Sequence, residues 1–273
     1  GKPIDACKVV ADELGIPIIV AATIAATDAP TSAVAVLYTD DGVYESVHFQ
    51  KRNPDVVLID TDIILKAPVR FLISGMGDAL ATFFEANSCE RSGSTNECGG
   101  LRSKTALAIA KLCLDMLLKY GRQAVEDAKK GVKSEAVEAV IEANTLLSGI
   151  GFESCGVSAA HSNHNGFTVL PGTHRLLHGE KVAFGVLAGL HLYDELGVMD
   201  EIYDFCIDVG LPVTFDELNI SNVTEEELYQ VAENSYKYNY MHREPLELST
   251  EKVLEAIKKA DELGRAKKQA KGK

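Results

Sequence analysis

Residues 55–89 read DVVLIDTDIILKAPVRFLISGMGDALATFFEANSC, and this stretch decides the fold. Its first six residues, DVVLID, are an apolar run closed at both ends by aspartate, the pattern of a short buried strand. After Lys66-Ala67-Pro68 the texture changes. Apolar residues then recur at helical spacing over 68–89, and strand signals disappear from the rest of the chain. The break at Pro68 predicts an α/β portion over residues 1–68 and an all-helical domain over 69–273.

Working upstream, residues 16–23 (IPIIVAAT) form a second apolar run, which reads as a buried parallel strand. Residues 33–38 and 43–49 flank Thr39-Asp40-Asp41-Gly42; Asp-Gly supplies the positive φ angles of a tight turn, so this is a hairpin. Ile4, Cys7, Val10 and Ala11 fall at helical spacing, and Gly15 supplies the stop. One helix and three or four short strands are too few for a doubly wound sheet, so the Rossmann-like sheet is expected to be incomplete, with further sequence before Gly1. Downstream, helices are expected over 101–120, 121–130, 134–150 and 182–196. The lysine-rich end, GRAKKQAKGK, reads as a frayed, solvated helix.

Bulk properties exclude several functions. The 273 residues are 46% hydrophobic, enough for a sizeable core, and carry a net charge of −13. Nucleic acid and anionic membrane surfaces repel such a chain, which favours a small-molecule partner. No apolar run reaches the roughly 18 residues of a membrane span, and the opening GKPIDACK is no signal sequence, so a cytoplasmic protein is expected. The six cysteines lack CxxC spacing and read mostly as buried apolar residues.

Four constellations could carry chemistry. Gly1-Lys2-Pro3-Ile4-Asp5 places a glycine at a helix entrance, where a phosphate can approach backbone N–H groups; the plain alternative is an ordinary turn. Residues 23–32 (TIAATDAPTS) follow the carboxyl end of a strand, where ligands of open α/β sheets bind, although such a loop is also simply rich in turn-formers. Asp78 sits in an apolar helical pattern, where an ionised carboxylate is costly without a partner; a metal or a cap on the Gly75-Met76-Gly77 turn would supply one. Finally, residues 151–185 hold His161, His164, His174 and His178. Asp, His and His from separate segments, with a position left open, are the ligand set of a catalytic zinc site.

The motifs GKPID, TIAATDAPTSA, SGMGDALAT, AAHSNHNG and HGEKVAFG, in this order, closely resemble the glycerol dehydrogenases of the iron-containing (group III) alcohol dehydrogenase superfamily. The resemblance runs along essentially the whole chain. It implies a dehydroquinate synthase-like architecture, with residues 1–68 as the C-terminal part of an NAD-binding domain and 69–273 as a helical metal-binding domain. It places the metal ligands, which also anchor substrate, on Asp78, His161 and His178. Gly1, Lys2 and Asp5 match a pyrophosphate turn, Thr23, Ile24, Ala25 and Ala26 match nucleotide contacts, and Ser32, Val34 and Tyr38 match the nicotinamide side. Asp28 matches the residue that contacts the polyol. His164 is a candidate for substrate hydrogen bonding or proton relay, or for a purely structural hydrogen bond; His174 belongs at the cleft rim.

The implied reaction is oxidation of glycerol, or a similar vicinal diol, to dihydroxyacetone, through a zinc-bound alkoxide and hydride transfer to NAD. The fourth ligand of the iron-dependent branch would fall on Thr82, so Zn2+ is favoured over Fe2+. A homo-oligomer, an octamer by resemblance, is expected. Alternatives are a related enzyme acting on a phosphorylated substrate, such as 3-dehydroquinate synthase or glycerol-1-phosphate dehydrogenase, or a non-catalytic zinc-binding protein. The phosphate readings call for a basic site, and the histidine segment offers only Arg175 and Lys181.

Overall fold

Helix α1 (Lys2–Leu14) has Pro3 in its first turn, where a fixed φ costs nothing, and Asp5 near its positive end. It stops at Gly15, whose φ of 64° is left-handed. The computed structural model describes residues 1–39, 44–193 and 196–272. Within these, strands β1 (Ile19–Ala22) and β4 (Val56–Ile59) pair in parallel, Ile19 opposite Val56. Strands β2 (Val34–Tyr38) and β3 (Tyr44–Phe49) pair antiparallel, Val34 opposite Phe49, so the hairpin is present. Its Asp40-Asp41-Gly42 turn lies outside the described residues.

The expectation of fully buried strands needs correcting. Val20 and Ala22 are buried, but Ile19 is 67% exposed and Leu58 58% exposed. A parallel pair is buried on both faces only when elements cover both, and among the described residues one face of β1 and β4 is open.

From Val69 onward every described element is helical. A short α2 (Thr61–Leu65), capped by the Asp60 carboxylate, leads into α3 (Val69–Ser92) and α4 (Lys104–Lys129). The chain continues with α5 (Glu135–Glu142), a π-helical segment (Ala143–Leu147), α6 (Ser148–Cys155), α7 (Ala159–Phe167), α8 (His178–Leu190), α9 (Leu196–Val209), α10 (Glu225–Lys237) and α11 (Thr250–Ala270). Met76, Leu80, Leu117, Phe167, Phe184, Phe205 and Ile257 lie at the centre of one core. No described helix is long and apolar enough to cross a membrane. Of the cysteines, Cys89, Cys113, Cys155 and Cys206 are buried, as expected, whereas Cys7 and Cys98 are exposed.

Several helix boundaries differ from expectation for identifiable reasons. Residues 101–130 hold one helix rather than two, because Gly121 is a packing position: a Cβ there would lie 2.7 Å from Phe205 Cε2. The helix expected to end near residue 150 continues through the π segment to Cys155. Helix α8 begins at His178 and ends at Leu190, earlier at both ends than the 182–196 pattern. The basic C-terminus is docked rather than frayed. Gly264 packs on the Val213 carbonyl, Arg265 pairs with Asp216 and Asp261, Lys267 meets Asp200 at 2.8 Å and Lys271 meets Asp208 at 3.0 Å.

Candidate active site

Two glycine contacts set the position of Asp78. A Cβ on Gly77 would fall 2.2 Å from the Gly179 carbonyl oxygen, and one on Gly179 only 1.8 Å from that of Ser74. Helix α3 and the first turn of α8 therefore touch backbone to backbone, which brings His178, the first residue of α8, to Asp78: Nε2 lies 3.1 Å from Oδ1. Gly185 packs on the Ala160 carbonyl in the same way and fixes α7 against α8. His161 and His164, three apart on α7, then face α3 and α8.

His161 Nδ1 is 2.7 Å from Glu85 Oε2, which leaves Nε2 toward Asp78 Oδ1 at 3.6 Å. His164 is 2% exposed; its Nδ1 bonds Asn165 Oδ1 at 2.9 Å and its Nε2 meets His178 Nδ1 at 3.0 Å. The ligand atoms of Asp78, His161 and His178 all lie within 4.8 Å of one another, the only such group of three among the described residues. Asp78 Oδ2 accepts from the Asp28 backbone N–H at 3.1 Å, whereas the buried Oδ1 has no well-formed hydrogen bond. An orphaned carboxylate oxygen faced by two imidazole nitrogens fits a cation.

A cleft of about 540 Å³ opens beside this group. Gly1, Lys2, Asp5, Ile24, Ala26, Asp28, Ser32, Val34, His164 and His178 all line it. Thr23 and Ala25 do not: Thr23 is exposed, and buried Ala25 gives its carbonyl to Asn144 Nδ2. The Tyr38 side chain lies outside the described part of the structure. His174 sits at the cleft wall with Nε2 donating to the Thr168 carbonyl at 2.8 Å, apart from the three-residue group.

The sequence model of the iron-containing alcohol dehydrogenases matches residues 1–68. Over 98% of its length the chain is 50% identical to a glycerol dehydrogenase of Thermotoga maritima, of which it spans 74%. The chain belongs to the glycerol dehydrogenase family. A Citrobacter freundii glycerol dehydrogenase is 45% identical over 97% of the chain and 73% of that protein. The crystal structure of the Schizosaccharomyces pombe glycerol dehydrogenase superposes with a TM-score of 0.97 at 42% identity, covering the whole chain and 70% of that one.

Family membership explains the motifs; the structure adds their electrostatics. Burial raises the Asp78 carboxyl, but the imidazoles of His178 and His161 outweigh it and hold its pKa below the usual range. Burial likewise opposes a charge on His161, yet Glu85 and Asp78 push its pKa well up. His164 goes the other way, depressed by burial and by the neighbouring His178 and Lys181. Asp28 is raised well above the carboxylate range by burial and the repulsion of Asp78.

Four residues outside the sequence motifs complete the site. Glu85, two helical turns after Asp78 on α3, accepts from the backbone N–H groups of Ser158 (2.8 Å) and His161 (3.0 Å) through Oε1, besides holding the His161 ring. Its signal was a second acidic residue seven positions after Asp78, hence on the same face. Ser148 Oγ donates to Asp28 Oδ2 at 2.9 Å, and Thr31 Oγ1 donates to the Thr145 carbonyl within the π segment at 2.7 Å. Such a segment leaves backbone carbonyls outside the regular helical ladder, and here one receives the Asp28 loop. Lys8, fully buried, donates to the carbonyls of Ala29 (2.5 Å) and Val34 (2.9 Å) and ties that loop to α1. Nothing local in the sequence distinguishes Ser148, Thr145 or Lys8 from solvent-facing polar residues.

Proposed function

We propose that the chain catalyses NAD-dependent oxidation of glycerol, or a similar vicinal diol, at the secondary carbon to give dihydroxyacetone. The observation that carries this reading is the orphaned Asp78 Oδ1, faced by His161 Nε2 and His178 Nε2 at the edge of an open cleft. One carboxylate oxygen and two imidazole nitrogens are the donor set of a catalytic zinc site. Thr82, where an iron-binding relative would place a fourth ligand, spends its hydroxyl on Ser148 Oγ at 2.9 Å, which favours Zn2+ over Fe2+.

Bound by Asp78, His161 and His178, zinc supplies Lewis acidity that lowers the pKa of a substrate hydroxyl. NAD supplies the hydride acceptor. The chain's own residues orient the reaction. Asp28, gripped by Ser148 and by its backbone bond to Asp78, lines the cleft beside the centre and hydrogen-bonds the diol. His164 acts on the ring of His178 through their 3.0 Å contact, maintaining its Nε2 toward Asp78. The N-terminus of α1, with Gly1, Lys2 and Asp5, receives the pyrophosphate; Ile24 and Ala26 contact the nucleotide; Ser32 and Val34 border the nicotinamide. Residues 1–68 thus serve the cofactor and 69–273 the metal, within a homo-oligomer.

The test is formation of NADH from glycerol before chelation, after chelation and after re-addition of Zn2+. Activity that tracks zinc supports the reading; full turnover in metal-free protein rejects it.

A further inference from the structure

Lys181 stands one turn after His178 on α8, on the same helical face, and lines the cleft. It is only 8% exposed. Yet no described residue accepts a hydrogen bond from its Nζ, in contrast to Lys8 with its two carbonyls. The adjacent acid is turned away from it: Glu180 receives Arg70 Nε at 2.6 Å, Arg70 Nη2 at 2.7 Å and the Leu177 N–H at 2.7 Å. Burial lowers the Lys181 pKa to about 8, opposed only by Glu180.

With its stem buried and no protein acceptor at its head, the ammonium meets the cleft as an uncompensated positive charge, open to whatever the cleft binds. The surroundings favour an anion twice over. The ammonium belongs to the first turn of a 13-residue helix, whose positive end adds to its field, and Leu176 and Leu177 line the same wall without offering a competing side-chain acceptor. One cation with one helix end matches a single negative charge.

We propose that this end of the cleft is an anion subsite, in which Lys181 binds the carboxylate of a small hydroxy acid whose hydroxyl occupies the Asp78–His161–His178 centre. The inference rests on that centre being the hydroxyl site, as in the proposed function, but it concerns binding alone and requires no turnover. Small 2-hydroxy acids would therefore compete with neutral diols for the cleft.

The test is calorimetric titration of the zinc-loaded protein with lactate and with lactamide, which share a hydroxyl and a shape but differ in charge. A charge-assisted bond to the Lys181 ammonium predicts lactate tighter than lactamide by about tenfold or more. In K181M the preference falls to near unity, and in K181R it survives. Equal binding of the two ligands by the unsubstituted protein overturns the proposal, whether or not any variant folds; so does a preference that persists in K181M. Chelation should weaken both ligands together, and if it leaves lactate binding unchanged the hydroxyl is not at the metal centre and the proposal fails. Absence of NADH formation from glycerol, with the Lys181-dependent preference intact, would reject the diol reaction and leave the anion subsite standing.

Discussion

Glu85 and His161 are joined twice, side chain to ring at 2.7 Å and carboxylate to backbone N–H at 3.0 Å. One glutamate thus sets where the backbone of α7 begins and which way the imidazole turns, with Nδ1 donating and Nε2 left for the centre. E85Q removes the charge and keeps the shape. We expect zinc affinity to fall about 10–100-fold, with helical content by circular dichroism unchanged. Chelator competition reads the affinity, and an unaltered affinity would reduce Glu85 to a helix cap.

Asp78 makes a second prediction. Because Oδ1 is buried without a proper hydrogen bond, zinc should stabilise the folded chain: about 2.7 kcal/mol at a hundredfold excess over Kd. In D78N or H178A this increment disappears. Thermal unfolding with and without zinc measures it, and an equal increment in D78N would move the metal elsewhere.

The close crossing of α3 and α8 is tested by G179A. The added methyl meets the Ser74 carbonyl oxygen at 1.8 Å, backbone that cannot step aside without separating the two helices. Overpacking of this kind costs about 1–3 kcal/mol or more, and here it also moves His178 from Asp78. Urea denaturation should show the loss together with weakened zinc binding; stability lost with zinc affinity intact would mean that the helices separate elsewhere.

Lys8 carries a pH prediction. Burial lowers its pKa from 10.5 to about 8. Below pH 8 both folded and unfolded chains hold the proton, so the burial penalty is fully present; from pH 8 to 10.5 the unfolded chain binds more protons, and stability rises. Relative to K8M, which lacks this titration, the natural chain should therefore gain about 2 kcal/mol between pH 7.5 and 10. Urea midpoints of the two proteins across that range supply the comparison. A constant difference would mean that Lys8 titrates as it does in the unfolded chain.

Much of the fold was legible because it rests on local rules. Gly15 stops α1, Pro68 separates strands from helices, and apolar spacing marks the long helices. The boundaries that failed did so through distant partners: Gly121 continues a helix because Phe205 fills the space above it, and the lysine-rich tail is ordered because Asp200, Asp204 and Asp208 face it from α9. In the site, Asp78 stood out as a charge in an apolar pattern, and the histidines stood out as a cluster. Glu85 had only its seven-residue spacing from Asp78, and Ser148 and Lys8 had no signal.

The sequence by itself determined the succession of elements, the class of chemistry and the residues able to hold a metal, since propensity, periodicity and donor type are properties of short stretches. Tertiary structure alone decided that Asp78 and His178, a hundred positions apart (178 − 78), would stand 3.1 Å from each other, and that Lys181 would line the cleft with no hydrogen-bond acceptor among the described residues. Those relations depend on where glycines let two backbones touch, and that contact exists only when α3 and α8 are packed together.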